Sequence, residues 1–184
     1  KKKVAAKNKT GKYIAYFQSF TSTYGPIEKM RRLFTQAINH PDVAVLSVAT
    51  RPDCIDDEVV GLLRELNGIK PVWVELGLQT VHEPSVRYIR RGYENEVYFD
   101  AVRRLKAAGI EVVTHIILGL PGETPEMMEE TTRQVCQAGT DGVKFHLLHV
   151  LRGTRLEQQY REGKLACMTL PEYAAVLKRC LAQV

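Results

Sequence analysis

The sequence has only four cysteines, and they lie too far apart to form a metal-binding motif. Cys54, Cys136, Cys167 and Cys180 are all separated by more than four residues, which excludes a C-x-x-C motif and zinc-finger spacings. A secretory signal is also absent, because no apolar stretch follows Lys1–Lys3. We therefore expect reduced thiols, no disulfide framework and a cytoplasmic location.

Long apolar runs and several catalytic motifs are absent as well. No run approaches the roughly 18–20 apolar residues that span a bilayer, so no membrane association is expected. The sequence contains no G-x-S-x-G, H-E-x-x-H or G-x-x-x-x-G-K-[ST] motif, which argues against serine hydrolases of that type, zinc proteases and P-loop nucleotide hydrolases. No pair of carboxylates stands at one strand end, which argues against a glycosidase.

Acidic residues are absent from the first 12 positions, where six lysines stand. The 184-residue chain has a net charge of +5, so the part outside these six lysines is close to neutral. We therefore predict a basic tail, residues 1–12, in front of a folded core, residues 13–184. Such an arm is either simply solvated or contacts RNA phosphates.

The rest of the chain alternates regularly between predicted strands and helices. The strands begin about 30 to 40 residues apart, which is the length of one βα unit and predicts a parallel sheet. Five such units fit either a (β/α) barrel or a doubly wound sheet. The predicted strands are Tyr13–Gln18, Val43–Thr50, Val72–Gln79, Glu111–Leu118 and Gly142–Val150.

Two of the predicted strands have one aliphatic face and one polar face. On the third strand, Glu75 and Gln79 lie opposite a row of Val and Leu residues, and on the fifth Lys144 and His146 share the polar face. Because a sheet covered by helices on both sides has apolar strands throughout, this pattern favours a barrel with the polar faces turned inward. Buried there, these side chains would need partners, supplied by a ligand or by a structural network.

The stretch His115–Thr124, H-I-I-L-G-L-P-G-E-T, predicts a strand that ends in a glycine–proline turn before a helix. Gly119 and Gly122 would let the backbone bend sharply and approach a ligand closely. Thr124 is a predicted helix cap, with Pro125 at the first helical position. Such a turn lies at the edge of an α/β sheet where ligands bind, although an ordinary βα turn has the same pattern.

Four side chains could carry chemistry, and each also has a simpler interpretation. Cys54 stands at a strand end, but neither a histidine nor a helix N-terminus is evident beside it, so we interpret it as an unreactive loop cysteine. Lys144 could form the Schiff base of a barrel lyase or aldolase, or an ion pair with Glu75. His146 and His149 are three apart on a predicted strand and would not share a metal.

Several segments, in this order and spacing, resemble the radical S-adenosylmethionine superfamily. They are Y-F-Q-S-F-T-S-T-Y-G-P with T-R-P-D-C, then V-E-L-G-L-Q-T, R-R-G-Y, H-I-I-L-G-L-P-G-E-T and K-F-H-L-L-H-V. The similar branch contains the oxygen-independent coproporphyrinogen oxidase and the elongator-type tRNA-modifying enzymes, together with a poorly characterised bacterial subfamily. The resemblance implies an α/β fold, a partial TIM-like (β/α) barrel with parallel strands and about five βα units of an expected six.

The resemblance also implies roles for individual residues. Gln79 resembles the amide that helps to hold the ribose, and Arg91 the arginine that meets the methionine carboxylate. The turn Gly119–Gly122 resembles the wall against which adenine packs. His115 stands where relatives place a ribose-binding acid, which leaves its role open.

The segment from Gln18 to Thr21 resembles the part that faces the methionine amino group. Ala49 stands where some relatives carry a ligand-binding glutamate, so that contact is not expected here. With two residues from the polar strand faces, the predicted cofactor-binding set is Gln18, Thr21, Glu75, Gln79, Arg91, His115, Gly119, Pro121, Gly122 and His146.

The family motif C-x-x-x-C-x-x-C, which holds a [4Fe–4S] cluster, is absent from this sequence. We therefore expect the cluster ligands to lie outside this chain, which would start after the cluster loop and be inactive alone.

The resemblance implies the core of an enzyme that reductively cleaves S-adenosylmethionine to a 5′-deoxyadenosyl radical. That radical would abstract hydrogen from an unknown small-molecule or RNA substrate, and a flavodoxin or ferredoxin would donate the electron. The alternatives are a non-catalytic nucleoside- or RNA-binding barrel and the Schiff-base lyase that uses Lys144.

Overall fold

The computed structural model describes residues 11–184. The predicted tail, residues 1–12, lies almost wholly outside the described residues, and its boundary stays a prediction. The described strands are β1 Tyr13–Phe17, β2 Val43–Thr50, β3 Val72–Gln79, β4 Glu111–Leu118 and β5 Gly142–Leu147. The described helices are α1 Ile27–Ile38, α2 Asp57–Asn67, α3 Glu83–Ile89, α4 Asn95–Ala107, α5 Pro125–Gln137, α6 Arg155–Arg161 and α7 Leu170–Leu181, with a 3₁₀ turn at Pro52–Cys54.

Over residues 11–184 the sheet has five parallel strands in the order β1-β2-β3-β4-β5. The parallel pairs β1–β2 and β2–β3 place Tyr16 opposite Ser47 and Ala49 opposite Glu75. Because each strand neighbours the next one along the chain, without the reversal of a doubly wound sheet, the topology is that of a partial (β/α) barrel. The predicted fold class is confirmed.

The predicted two-faced strand is confirmed for β3 and only partly seen in β5. Buried and half-buried residues alternate along the whole of β3, whereas every residue of β5 is half-buried. β5 lies at one end of the strand order. The strand also ends at Leu147, not at Val150 as predicted, so His149 lies outside it.

Two helix starts are set by the local sequence. The Asp56 side chain accepts a hydrogen bond from the Val59 N–H (2.8 Å) and caps α2. The Thr124 hydroxyl accepts one from Met127 (3.4 Å), and Pro125 is the first residue of α5, as predicted. None of the helices described here is long and apolar enough to cross a bilayer.

The chain forms two compact units. Residues 11–77 and 96–113 make up the first, in which the rings of Phe17 and Phe34 meet edge to face with centroids 4.8 Å apart. The core of this unit is aliphatic with two large aromatic rings, and includes Phe34, Ile38, Leu46, Leu62, Leu63, Val74, Tyr98 and Leu105.

Residues 78–95 and 114–184 make up the second unit. Within it α5 and α7 pack together, and Arg179 of α7 pairs with Glu126 (2.9 Å) and Glu129 of α5. The core of this unit includes Leu78, Val86, Ile116, Leu118, Leu120, Met128, Val135 and Val176.

Candidate functional site

In the first unit, Glu75 is held by hydroxyl groups from two other strands. The Tyr16 hydroxyl donates to Oε2 (3.0 Å) and the Ser47 hydroxyl to Oε1 (2.7 Å). Glu75 is half-buried, less enclosed than the strand pattern predicted. The bonds fix the orientation of the carboxylate, which is what a ligand contact at the polar face of β3 would require.

The segment after β1 contains the predicted residues Gln18 and Thr21. Gln18 is exposed and Thr21 half-buried. The loop is tied to its surroundings at Ser22, whose hydroxyl donates to the Phe17 carbonyl (3.1 Å) and whose N–H donates to the Ala49 carbonyl (3.3 Å). The backbone of Ala49 therefore positions this loop, although its side chain offers no polar contact.

Cys54 has the surroundings of an unreactive cysteine. Its carbonyl accepts a hydrogen bond from the Thr23 hydroxyl (2.7 Å), which also meets the Thr50 hydroxyl (2.5 Å). Burial raises the pKa of the Cys54 thiol, and the Asp53 carboxylate raises that pKa further. A thiol that keeps its proton at neutral pH is a poor nucleophile.

In the second unit, Gln79 ends β3 in an unusual backbone conformation. Its φ is +66°, a left-handed value that costs a residue with a Cβ about 1 kcal/mol or more. The Tyr93 hydroxyl donates to Gln79 Oε1 (3.4 Å). Within residues 11–184 the amide nitrogen of the half-buried Gln79 makes no hydrogen bond, so its two N–H donors are available to a ligand.

Arg91 is buried, with 6% of its surface exposed. Nη1 donates to the carbonyls of Leu78 (3.1 Å) and Thr80 (2.9 Å), while Nη2 donates to the Tyr93 carbonyl (2.7 Å) and to Asn95 Oδ1 (2.9 Å). Nε donates to the same Tyr93 carbonyl (3.0 Å). All five N–H donors of the guanidinium are thus engaged within this group, the Arg91 cluster. A ligand carboxylate could be bound only by replacing one of these oxygens.

The glycine–proline turn has type II geometry. The Glu123 N–H donates to the Leu120 carbonyl (3.1 Å), and Gly122 has φ +83° at the third position, where this turn requires a positive value. Nothing lies within 4 Å of a Cβ built on Gly122, whereas one on Gly119 would come 3.1 Å from Met168 Sδ. The Gly119 backbone is therefore covered by Met168, and the space beside Gly122 is open.

A buried hydrogen bond joins the end of β3 to this turn, and no sequence motif predicts it directly. The Thr80 hydroxyl donates to Glu123 Oε1 (2.6 Å), and Thr80 is fully buried. Thr80 ends the motif V-E-L-G-L-Q-T and Glu123 belongs to H-I-I-L-G-L-P-G-E-T, but the family resemblance implies a role for neither residue. Their shared position at strand ends was the available signal, because such ends meet at one edge of a parallel sheet.

His115 and His146 form a pair in the second unit. The facing nitrogens, His146 Nε2 and His115 Nδ1, are 3.2 Å apart, and the ring centroids are 5.0 Å apart. One nitrogen must donate and the other accept, so the two facing nitrogens share a single proton. The nearby strand residue Lys144 is half-buried.

The residues present suit one of the two cofactors that the resemblance implies. The free amide of Gln79 and the open backbone beside Gly122 fit S-adenosylmethionine, which needs N–H donors and a flat wall. The described residues do not fit an iron–sulfur cluster: they contain no group of three His, Cys, Asp or Glu that could hold a metal. Cys54 and Cys136 are half-buried, Cys167 is exposed and Cys180 buried, all as free thiols.

Two family models match this chain. The Radical SAM superfamily model covers residues 1–135, and the Radical_SAM C-terminal domain model covers residues 140–184. The superfamily match over residues 1–135 includes both Gln79 and the predicted adenine wall, Gly119–Gly122.

Curated relatives agree with these models. The chain is 45% identical to the uncharacterized protein YtqA of Bacillus subtilis over 96% of the chain and 55% of that protein. It is 36% identical to protein YhcC of Escherichia coli over 90% and 54%, and 28% identical to a tRNA uridine(34) acetyltransferase of Methanocaldococcus jannaschii over 65% and 22%. The chain therefore spans about half the length of the more similar relatives.

Solved structures share the fold. Elp3 of Methanocaldococcus infernus superposes with a TM-score of 0.81 at 20% identity, over 97% of this chain and 47% of that one. Coproporphyrinogen III oxidase (HemN) of Escherichia coli superposes with a TM-score of 0.71 at 19% identity, over 92% and 39%.

Proposed function

The chain belongs to the radical S-adenosylmethionine superfamily, and from this premise we propose that it is the S-adenosylmethionine-binding core of a radical enzyme. The family uses S-adenosylmethionine together with a [4Fe–4S] cluster. The resemblance to this superfamily that the sequence predicts is confirmed. Membership does not favour the binding-module or Schiff-base alternatives.

The observation that carries the proposal is the state of Gln79. A strained residue at a strand end, with unpaired amide donors, is a common feature of binding sites, where strain is tolerated for the sake of a ligand contact. In this proposal the Gln79 amide donates to the ribose hydroxyls. Tyr93 holds the amide oxygen and so orients the nitrogen toward the ligand.

The second part of the proposed site is the type II turn. Gly122 leaves an open backbone surface beside Pro121, and the adenine ring would pack there, while Gly119, whose backbone Met168 covers, would shape the turn. The Thr80–Glu123 hydrogen bond (2.6 Å) supports this role, because it ties the turn to the end of β3, one residue beyond Gln79.

The proposal also includes the remaining predicted contacts with S-adenosylmethionine. Gln18 and Thr21 would face the methionine amino group, and Glu75, His115 and His146 would contribute polar groups. Because all five donors of Arg91 bind the chain itself, we assign Arg91 first to positioning Gln79 and Tyr93. Contact with the methionine carboxylate would need one of these hydrogen bonds to be released.

The chemistry needs a cluster that supplies an electron to S-adenosylmethionine. Since the described residues cannot hold that cluster, the 184-residue chain should bind S-adenosylmethionine without cleaving it. The whole protein would use a flavodoxin- or ferredoxin-like electron donor. Its substrate is either a small molecule or RNA; the likeness to a tRNA uridine(34) acetyltransferase supports RNA.

Calorimetric titration of the chain with S-adenosylmethionine tests the proposal. Gln79→Gly should weaken binding by about tenfold, since hydrogen bonds to the ribose are lost. The variant should be no less stable than the wild type, because glycine adopts a positive φ without strain. Tyr93→Phe is the matched variant: it keeps the ring whose centroid lies 4.6 Å from Arg91 Cζ and should weaken binding less.

The proposal fails if the chain, shown by circular dichroism to be folded, does not bind S-adenosylmethionine, or if Gln79→Gly binds it as tightly as the wild type. Formation of 5′-deoxyadenosine by the chain alone would contradict only the expected inactivity. Arg91→Ala is a poor control, because its loss of buried hydrogen bonds would affect folding and binding together.

A further inference from the structure

A cavity of about 520 Å³ lies within the second unit, at the end of α3 and the start of α6. Its wall contains three arginines, Arg87, Arg90 and Arg155, and its apolar residues include Ile89 and Leu148. No carboxylate lines it. Among the predicted S-adenosylmethionine contacts only Pro121 borders this space, which we call the arginine cavity.

Two of the three arginines have no partner for their charged side chain in residues 11–184. Arg87 pairs with Glu83 at 3.6 Å. In the described part of the chain, Arg90 and Arg155 form neither an ion pair nor a side-chain hydrogen bond, and both are exposed. Two unpaired guanidinium groups on a wall without acids give the cavity a positive potential that attracts an anion.

Arg90 occupies a backbone position that disfavours arginine. It follows α3 with φ 53° and ψ 49°, the left-handed conformation. The N–H groups of Arg90 and Arg91 donate to the carbonyls of Arg87 and Val86 (both 3.2 Å), which is the Schellman arrangement usually ended by glycine. Arg90 therefore occupies a position at which the backbone conformation favours glycine.

Arg155 also stands against a local preference. It is the first residue of α6, directly after the cap residue Thr154, where the positive end of the helix dipole repels a cation. Two arginines that each break a local rule, without a compensating contact in the described chain, border one cavity. Rule-breaking residues of this kind concentrate at functional sites.

We propose that the arginine cavity binds a nucleotide, with its phosphate on Arg90 and Arg155 and its base against the apolar wall. The planar guanidinium fork matches phosphate oxygens, and flat bases bind well to apolar and aromatic surfaces beside arginines. Tyr88, whose hydroxyl donates to Gln159, provides an aromatic ring at the same wall. A volume of about 520 Å³ is ample for one nucleotide.

S-adenosylmethionine is a poor occupant of this cavity. Its cationic sulfonium and amino groups outnumber its single carboxylate, so the molecule is positive overall and unpaired guanidinium groups repel it. Of the predicted S-adenosylmethionine contacts only Pro121 borders the cavity, whereas Gln79, His115 and Gly119 do not line it, so the inference does not depend on the proposed function. The nucleotide phosphate could come from a free nucleotide or from one unit of an RNA strand.

The test is titration of the chain at low ionic strength with uridine 5′-monophosphate, a short oligouridylate and inorganic phosphate. A pyrimidine avoids the proposed adenine wall. Arg90→Gly and Arg155→Ala should each weaken binding by about tenfold, as expected for loss of a charge-assisted hydrogen bond. Arg133→Ala is the control, because it removes an exposed arginine of α5 that pairs with Glu130 outside the cavity.

Binding of the monophosphate identifies a free nucleotide, and binding of the oligonucleotide alone identifies a strand; both support the proposal. Binding of phosphate alone, no binding of any probe, or binding unaffected by Arg90→Gly and Arg155→Ala overturns it. Both variants should keep the wild-type unfolding temperature and unchanged affinity for S-adenosylmethionine, which separates this test from that of Gln79.

Discussion

Two neighbouring arginines of the second unit belong to regions with opposite properties. Arg91 is buried, and its five N–H donors bind oxygens of the Arg91 cluster. Arg90 is exposed on the wall of the arginine cavity, and its side chain has no polar partner in residues 11–184. The same side chain thus organises a loop at one position and remains available to a ligand at the next.

The backbone explains how adjacent residues reach such different surroundings. The left-handed conformation of Arg90 ends α3 and reverses the chain. Gly92, with φ +86°, continues the bend, and Tyr93 returns so that its carbonyl accepts from Arg91. The motif R-R-G-Y therefore forms a turn in which Arg90 lies on the wall of the arginine cavity and Arg91 is buried in the Arg91 cluster.

The largest effect is expected for Arg91→Ala. The substitution leaves the carbonyls of Leu78, Thr80 and Tyr93 without donors in a buried site, and should cost about 3 kcal/mol or more of the free energy of unfolding. Urea denaturation followed by circular dichroism measures this loss.

Arg91→Lys provides the matched comparison, because it keeps the charge but can donate only three hydrogen bonds from one point. Its stability should lie between those of Arg91→Ala and the wild type. If Arg91→Ala has the same urea midpoint of unfolding as the wild type, Arg91 does not stabilise the fold, and the difference proposed between Arg90 and Arg91 is wrong.

How far the sequence predicted these regions depends on the kind of signal. The alternation along β3 and the cap at Thr124 follow from local rules, and the structure agrees with them. The partial barrel followed from the spacing of the strands. The sequence predicts the end of β5 three residues too late, because the apolar Leu148 and Val150 continue the strand pattern after Leu147, where β5 ends.

The contacts that distinguish Arg90 from Arg91 were not predictable in this way. The backbone oxygens that hold Arg91 come from residues up to 13 positions away. Because every residue has a backbone carbonyl, the sequence does not show which of them accept hydrogen bonds from Arg91. The resemblance assigned Arg91 to a ligand carboxylate, and that assignment stays a prediction. The arginine cavity is formed by α3, a turn and α6, which no single motif joins.

A smaller loss is expected for Thr80→Val, which alters the edge of the Arg91 cluster. The change is close to isosteric, but it leaves the Glu123 carboxylate and the His82 N–H (3.1 Å from the Thr80 hydroxyl) without their partner. We expect a loss of about 1–2 kcal/mol in the free energy of unfolding. Thr80→Ser keeps the hydroxyl and should restore most of it, which urea denaturation can check.

For Arg90→Gly the expected change in stability has the opposite sign. Glycine accepts φ 53° without steric strain, so the variant should gain up to about 1 kcal/mol in the free energy of unfolding. Arg90→Ala lacks the charge but retains the Cβ and should show no such gain. A clear loss of stability in Arg90→Gly would mean that the Arg90 side chain has a structural role like that of Arg91.

The smallest effect is expected for Arg155→Ala at the start of α6. Removal of a cation from the positive end of the helix should raise the free energy of unfolding by a few tenths of a kcal/mol, about 0.3 in low salt and less in high salt. Thermal unfolding at two salt concentrations measures it. Arg161→Ala is the internal comparison: Arg161 lies at the other end of α6 and pairs with Glu157 (2.7 Å), so its removal should lower stability slightly. If the two variants change the free energy of unfolding in opposite directions, Arg155 resembles Arg90 as an arginine that does not stabilise the fold. If both changes have the same sign, Arg155 and Arg161 do not differ in this respect.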